Sequence, residues 1–342
     1  MRLLALPLLG ALTLAACTST APSQMQTAAE PAVAPGPYAG LSAEIRTAIE
    51  AGFYEPAALE RPNWQRFFTR LDAGLASATT DAQAQAAFGA ALPEAGVSHL
   101  SLYKVGVPAG GASRDARPPV SFEVDPESGV AVLDVRTFGM SSVAAPIVGA
   151  FQAMAADPPA VLVVDIRGNG GGDLSSMLIV GHLIEAPAPA GLFVSRQFWT
   201  THDAVPPPSE WSALPLLTSL DEDAFFQALA TDGAVVGVVP PMAPRYGGPV
   251  YLLTDGGTGS ASEPLAYVLK ATGRATLVGE PTAGKMISGT TTALSDGWTL
   301  QLPVADYYVP DGTRLDGVGV APDVAVSSAD ALQTALRLAS DR

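Results

Sequence analysis

Apolar residues recur along this chain with two periods, and the point where one gives way to the other divides it. Leu41, Ile45, Ala48 and Ile49, and then Trp64, Phe67, Phe68, Leu71 and Leu75, fall three and four apart, the spacing that gathers side chains on one side of a helix. Ser42 is placed to cap the first run and Gly52 to stop it, Asn63 precedes the second, and a third helix is predicted over residues 81–91, before Pro93. Residues 38–95 therefore read as a small helical domain with an aromatic core. From Gly96 to Tyr103 polarity alternates at the period of a strand. If that strand begins at once, Ser98 and His99 face opposite ways; if it begins after them, both line a loop.

Beyond Pro118 short apolar runs alternate with helical stripes, the pattern of βαβ units around a parallel sheet. Strands are predicted over 120–124, 130–135, 160–164, 250–253 and 275–278. The helices between them carry Ile147, Phe151 and Met154, then Leu174 to Ile184, then Leu265, Val268 and Leu269. Residues 160–164 are apolar throughout, as suits a strand buried on both faces. Two more strands are predicted over 286–294 and 298–304, and Ser328 is placed to cap a last helix bearing Leu332, Leu336 and Leu338. Residues 186–247 break the alternation. Rich in proline, with Trp199 and Trp211, they read as a long insertion covering one edge of the site as a lid or substrate wall.

Two strand-to-helix junctions carry unusual chemistry. The strand ending at Val164 runs into Asp165-Ile166-Arg167-Gly168-Asn169-Gly170-Gly171-Gly172, where three successive glycines let the backbone turn tightly or approach a neighbour closely. A phosphate-binding loop is the alternative there, but the G-x-x-x-x-G-K-[ST] spacing is absent. The strand ending at Leu253 runs into Gly256-Gly257-Thr258-Gly259 and then Ser260-Ala261-Ser262-Glu263 at the mouth of a helix. A serine there can cap the helix, or it can be a nucleophile whose oxyanion is met by the free N–H groups and the positive end of the helix. Lys285 follows 25 positions later, after another strand and Gly279-Glu280-Pro281-Thr282-Ala283-Gly284. Of the three histidines, His182 falls on an apolar stripe and reads as packed, His202 sits in a polar loop and reads as solvated, and His99 follows Ser98 directly.

Composition narrows the partners. The 342 residues carry 33 Asp and Glu against 18 Lys and Arg, a formal charge of −15 with no basic cluster, which argues against nucleic acid. No metal-ligand set or cofactor motif emerges. The single cysteine, Cys17, closes Leu14-Ala15-Ala16-Cys17 after Met1-Arg2 and an apolar run from Leu3 to Leu14. That run is too short to span a bilayer and resembles the signal of a bacterial lipoprotein. The resemblance implies removal of residues 1–16, a membrane anchor through lipid on Cys17, and a periplasmic location. Thr18, in place of an aspartate, points to the outer membrane. Residues 17–37, rich in Ala, Pro, Ser and Thr, read as a flexible tether.

The two junction strings, together with Asp316-Gly317-Val318-Gly319-Val320-Ala321-Pro322-Asp323, resemble the carboxy-terminal-processing (tail-specific) serine peptidases. The resemblance runs from about Tyr38 to the carboxyl end, with the motifs in the expected order. It implies an α/β fold with a crotonase-like core built from βαβ units over residues 96–342, no cofactor, and a serine endopeptidase that hydrolyses exported polypeptides through an acyl-enzyme. It implies Ser260 as nucleophile and an oxyanion hole made by the N–H groups of Ala261 and Gly171, with Gly172 the less favoured choice. The base stays open, because the chain carries parts for two mechanisms. One is a Ser260–Lys285 dyad; the other, of the tricorn-like branch without a PDZ domain, uses Ser98, His99 and a late acidic residue, here Asp316 where such relatives carry Glu. Only about thirty residues separate His99 from the α/β core, too few for a PDZ domain.

Chemistry favours His99. An imidazole near pKa 6.5 accepts a serine proton as it stands, whereas an ammonium near 10.4 must first lose several pK units through desolvation, at about 1.4 kcal/mol each. Asp316 or Ser98 would then orient the ring, with Lys285 as an electrostatic helper. A non-catalytic ligand- or peptide-binding module on the same fold and a lipoprotein esterase are the alternatives, although the G-x-S-x-G elbow of α/β-hydrolases is absent.

Overall fold

The computed structural model describes residues 36–104, 117–139 and 142–341, so the expected signal, Cys17 and nearly all of the tether lie outside the described residues. α1 (Ala39–Gly52) buries Leu41, Ile45 and Ile49, and α2 (Pro62–Ser77) buries the Trp64-to-Leu75 stripe. Ser42 does not cap α1; its hydroxyl bonds to Asp72 of α2. α3 (Asp81–Ala95) starts on the Thr80 side chain, which accepts the Gln83 N–H, and runs through Pro93 to Gly96 at φ 67°. Pro93 lies in the last turn, so the donor it lacks costs one bond, and Gly96 supplies the left-handed residue that ends the helix.

β1 (Ser101–Lys104) begins only after Ser98 and His99, which stay in a bend. β2 (Val120–Val124) and β3 (Val130–Val135) pair antiparallel, and α4 (Ala144–Ala156) leads to β4 (Val161–Asp165), buried at every residue. α5 (Ser176–Leu183) follows. Residues 186–247, expected as an insertion, instead supply β5 (Ala188–Ser195), β6 (Leu216–Leu217), α6 (Glu222–Asp232) and β7 (Ala234–Val239). Pro189 and Gly191 hid β5, since both are breaker residues, and its pairing with β7 is irregular between them. β8 (Val250–Thr254), α7 (Ser262–Ala271) and β9 (Thr276–Gly279) form the expected βαβ unit. β10 (Ser288–Ala293), β11 (Trp298–Tyr308), β12 (Val324–Ala325) and α8 (Ala331–Ser340) complete the chain.

The strands make two six-stranded sheets. One, in the order β12-β9-β8-β4-β3-β2, is parallel except for β2; the other, β1-β11-β5-β7-β6 with β10 also on β11, is antiparallel except where β6 meets β7. β4 and β8 are neighbours, with Asp165 opposite Leu253. The glycine string and the serine string therefore emerge side by side at the carboxyl ends of adjacent parallel strands, where α/β folds place their sites. Ile147, Phe151, Val180, Leu265 and Leu269 of the intervening helices pack with Leu133, Leu162 and Leu252 of the first sheet and Phe193 and Val235 of the second. α8 covers the far face of the first sheet through Ala331 and Ala335.

Helices α1–α3 do not keep a core to themselves. Phe67, Leu71 and Phe88 share one cluster with Leu100, just before β1, and with Leu102, Trp298, Leu300 and Leu302 of the second sheet, and the described residues belong to one compact unit. Helices and sheets should therefore unfold together. Leu302→Ala removes a side chain that is 2% exposed at this seam and should cost about 2–5 kcal/mol. Its urea midpoint should fall equally by far-UV circular dichroism and tryptophan fluorescence; two separated transitions would show the helical layer to be independent.

Candidate active site

A buried carboxylate holds the turn between β8 and α7. Glu263 has no exposure, and its Oε1 accepts the Thr282 hydroxyl and the Gly284 N–H at 2.7 Å each. Its Oε2 accepts the Lys285 N–H at 2.8 Å and the Ser260 N–H at 3.1 Å. Burial lifts the Glu263 carboxyl above its ordinary pKa, and these four donors pull the other way. The Ser260-x-x-Glu263 spacing is half of a capping box, with the glutamate reaching back to the serine N–H. The reciprocal half is missing, because Ser260, at φ 55°, directs its hydroxyl to His99 instead of to the helix. A non-glycine residue in that left-handed region costs on the order of 1–3 kcal/mol and persists only when its surroundings over-determine it. Here the surroundings are Glu263 and the Lys285 carbonyl, which also accepts the Ser260 N–H at 3.1 Å.

His99 Nε2 lies 3.0 Å from Ser260 Oγ, and His99 Nδ1 lies 2.9 Å from Ser98 Oγ. If Nε2 is to accept the serine proton, Nδ1 carries the other and donates it to Ser98. His99 itself sits at φ 58° in the bend before β1, which answers the question left by the strand pattern: the two residues line a loop. Burial pushes the His99 pKa below its ordinary value; the Asp316 carboxylate opposes this, and the Lys285 ammonium adds to it. Asp316 is 6% exposed. Its Oδ2 accepts Arg314 Nη2 at 3.2 Å, and its Oδ1 is buried with no partner among the described residues. Arg314 also donates to Asp306 at 2.6 Å and to the Tyr54 hydroxyl at 3.0 Å, tying the Asp316 loop to β11 and to the chain leaving α1.

Lys285 reaches the site by its main chain, while its side chain is exposed and the Ser260 hydroxyl is met by His99. Glu280, in the same loop, accepts the Ser328 N–H at 2.9 Å. His182 is buried with Nδ1 2.6 Å from the Pro244 carbonyl, and His202 is exposed and stacked on Phe198.

The glycine string faces the serine turn closely. A Cβ on Gly171 would lie 2.5 Å from Ser260 Cβ, and one on Gly172 would lie 2.0 Å from the Phe138 backbone, so neither position admits another residue. Buried Asn169 stitches the two turns together. Its carbonyl accepts the Gly259 N–H at 3.0 Å and the Ser262 hydroxyl at 3.1 Å, and its side-chain amide donates to the Val135 carbonyl at 2.9 Å. Its Oδ1 accepts the Gly171 N–H at 2.9 Å. The Gly171 N–H, one of the two expected oxyanion donors, is therefore paired with a side-chain acceptor. The N–H groups of Gly172 and Ala261 have no acceptor among the described residues, and both residues line one cavity with Ser260 and His99. Sequence reading gives no function to Glu263, Asn169 or Arg314. The capping-box spacing was a usable signal for the first; Asn169 and Arg314 each join a near neighbour, Gly171 or Asp316, to residues from distant stretches.

A family model, Peptidase family S41, matches residues 129–326, a span that holds Ser260, Lys285 and Asp316 but not Ser98 or His99. The chain is 31% identical over 175 residues to a chloroplastic C-terminal processing peptidase of Tetradesmus obliquus, 51% of this chain and 30% of that one. It spans less than a third of the length of the curated relatives it matches. Among solved structures, a lipoprotein from Streptococcus agalactiae superposes with a TM-score of 0.59 at 14% identity, covering 90% of this chain and 98% of that one. A photosystem II D1 C-terminal processing protease gives 0.51 at 17% identity, covering 86% and 94%. At such identities the likeness is one of fold.

Two outcomes follow from the geometry. Followed by imidazole proton shifts, His99 should titrate below about 6.5, lower still in Asp316→Asn and higher in Lys285→Met; shifts of opposite sign would contradict the charge arrangement. Glu263→Gln puts an amide where four donors converge and should cost about 1–3 kcal/mol or more, read as a lowered thermal midpoint; an unchanged midpoint would show that the carboxylate does not hold the turn.

Proposed function

The chain belongs to peptidase family S41, and from that premise we propose that it is a serine endopeptidase, hydrolysing peptide bonds of exported polypeptides through an acyl-enzyme on Ser260. The reading rests on the unbroken chain from Ser98 through His99 to Ser260, at 2.9 and 3.0 Å, beside two unpaired N–H groups. His99 Nε2 takes the proton of Ser260 Oγ as that oxygen attacks the carbonyl carbon, and the oxyanion is met by the N–H groups of Ala261, at the start of α7, and of Gly172, in the loop after β4. The C–N bond then breaks as the imidazolium passes its proton to the leaving amine. Water, deprotonated by His99, cleaves the resulting ester and returns Ser260.

In this scheme Ser98 holds the tautomer with hydrogen on Nδ1, and Asp316, fixed by Arg314, favours the imidazolium as it forms. Lys285 supports the site through its main chain and its charge, because His99 occupies the hydrogen-bonding position a base requires. The proposal also includes lipid attachment at Cys17 and a periplasmic, outer-membrane location, supported by the apolar run from Leu3 to Leu14 that ends at the only cysteine.

Ser260→Ala should abolish hydrolysis of an unfolded polypeptide. His99→Ala should lose about a thousandfold or more, and Lys285→Met less. Because His99 must be neutral to act, activity should rise with pH through a pKa below about 6.5, and Lys285→Met should move that rise upward. An inactive Lys285→Met protein beside a fully active Asp316→Asn protein would transfer the base to lysine. For the location, Cys17→Ser should release the protein from membranes; a parent protein that is soluble and carries no lipid would refute the anchor.

A further inference from the structure

The Ser260 hydroxyl opens on a cavity of about 350 Å³, within the size range of sites that enclose a small ligand. Its large apolar side chains come mostly from the stretch expected as an insertion: Phe193 of β5, Leu217 of β6, Phe225 and Phe226 of α6, met by Met177 of α5. Among so many large side chains a void needs an explanation, and β7 supplies one. On the face of β7 turned to this core the residues are Val235, Gly237 and Val239; both valines are buried in it, and the glycine between them lines the cavity with no side chain to extend into it. A Cβ on Gly237 would meet Ala190 Cβ and the Phe193 ring at 3.6 Å, which is ordinary contact, and its backbone is not left-handed. Neither a turn nor a close approach requires glycine here, in a strand that glycine weakens. The charged side chains of the cavity, His99 apart, are the carboxylates of Asp173 and Glu222.

We propose that this cavity receives the side chain on the acyl side of the scissile bond, that it selects bulky apolar side chains such as phenylalanine, leucine and methionine, and that Gly237 sets its depth. The inference rests on the peptidase reading. A carbonyl held by the Gly172 and Ala261 N–H groups belongs to the acyl-side residue, so its side chain is the one adjacent to the cavity those glycine and helix-end groups line. An aromatic side chain gains there by leaving water. An alanine leaves the cavity unfilled, a carboxylate meets Asp173 and Glu222, and an ammonium, though drawn by those carboxylates, gives up its water against walls that are mostly apolar.

The test uses peptides identical except for tryptophan, phenylalanine, leucine, alanine, lysine or aspartate at the acyl-side position, assayed by kcat/KM on the parent, Gly237→Val and Phe226→Ala proteins. Phenylalanine and leucine should exceed alanine by about tenfold or more. Gly237→Val should reduce the phenylalanine-to-alanine ratio by a similar factor, and Phe226→Ala, at the partly buried wall, should shift preference toward tryptophan. Equal rates for phenylalanine and alanine, a preference for lysine, or a ratio unmoved in both variants would overturn the proposal. If the parent cleaves none of the peptides, the peptidase reading fails, and binding of acetylated peptides ending in phenylalanine or alanine to the Ser260→Ala protein decides the cavity alone. Tighter binding of the phenylalanine peptide, lost on adding Gly237→Val, would uphold an apolar pocket; equal affinity would refute it.

Discussion

A carboxylate with no exposure to water is tolerable only when donors saturate its oxygens, and Glu263 finds four: the N–H groups of Ser260, Gly284 and Lys285 and the hydroxyl of Thr282. Those donors come from two segments, the turn after β8 and the loop after β9, so they converge only when the two are in register. Thr282 extends the constraint, because its hydroxyl also accepts the Val320 N–H at 2.7 Å, near the Asp316 turn. Strain at Ser260 is the local cost of this arrangement. The same left-handed backbone that loses half a capping box frees the hydroxyl to point at an imidazole.

The other half of the site arrives from a different sheet. Ser260 and the glycine string stand on the parallel sheet, whereas His99 precedes β1 of the antiparallel one. Their 3.0 Å approach therefore depends on how the two sheets pack through α5 and α7, and on α1–α3 supporting the strands behind His99. Asn169 and Asp255 perform the short-range fastening. Asp255 accepts the N–H groups of Gly168 and Gly257 at 2.8 and 2.9 Å, so each glycine-rich turn holds the other.

Electrostatics at His99 balances opposing effects. Burial and the Lys285 ammonium favour the neutral ring, which can accept a proton, while Asp316 favours the charged ring that results. A base needs both, since an imidazole held too strongly in either state cannot cycle. Arg314 keeps Asp316 in place by bonding it and Asp306 together, at 3.2 and 2.6 Å.

What the sequence by itself determined is local. The three-and-four spacing of the helices, the apolar run of β4 and the strand-glycine-helix strings around Gly170 and Ser260 are consequences of backbone period and glycine sterics, which act over a few residues. Ser260, His99 and Asp316 stood out as candidates because their residue types suit the proposed chemistry. The tertiary structure decided the rest, because the deciding contacts are long-range. Whether Lys285 or His99 faces the hydroxyl depends on sheet packing. Which glycine N–H stays free depends on Asn169, a neighbour in sequence whose side chain is oriented by the Val135 carbonyl 34 residues away. The strands within residues 186–247 were masked by prolines and glycines whose breaking tendency is outweighed by pairing with β11 and by burial. Gly237 looks like any strand glycine until the cavity it lines is seen, since a cavity is a property of all the walls at once.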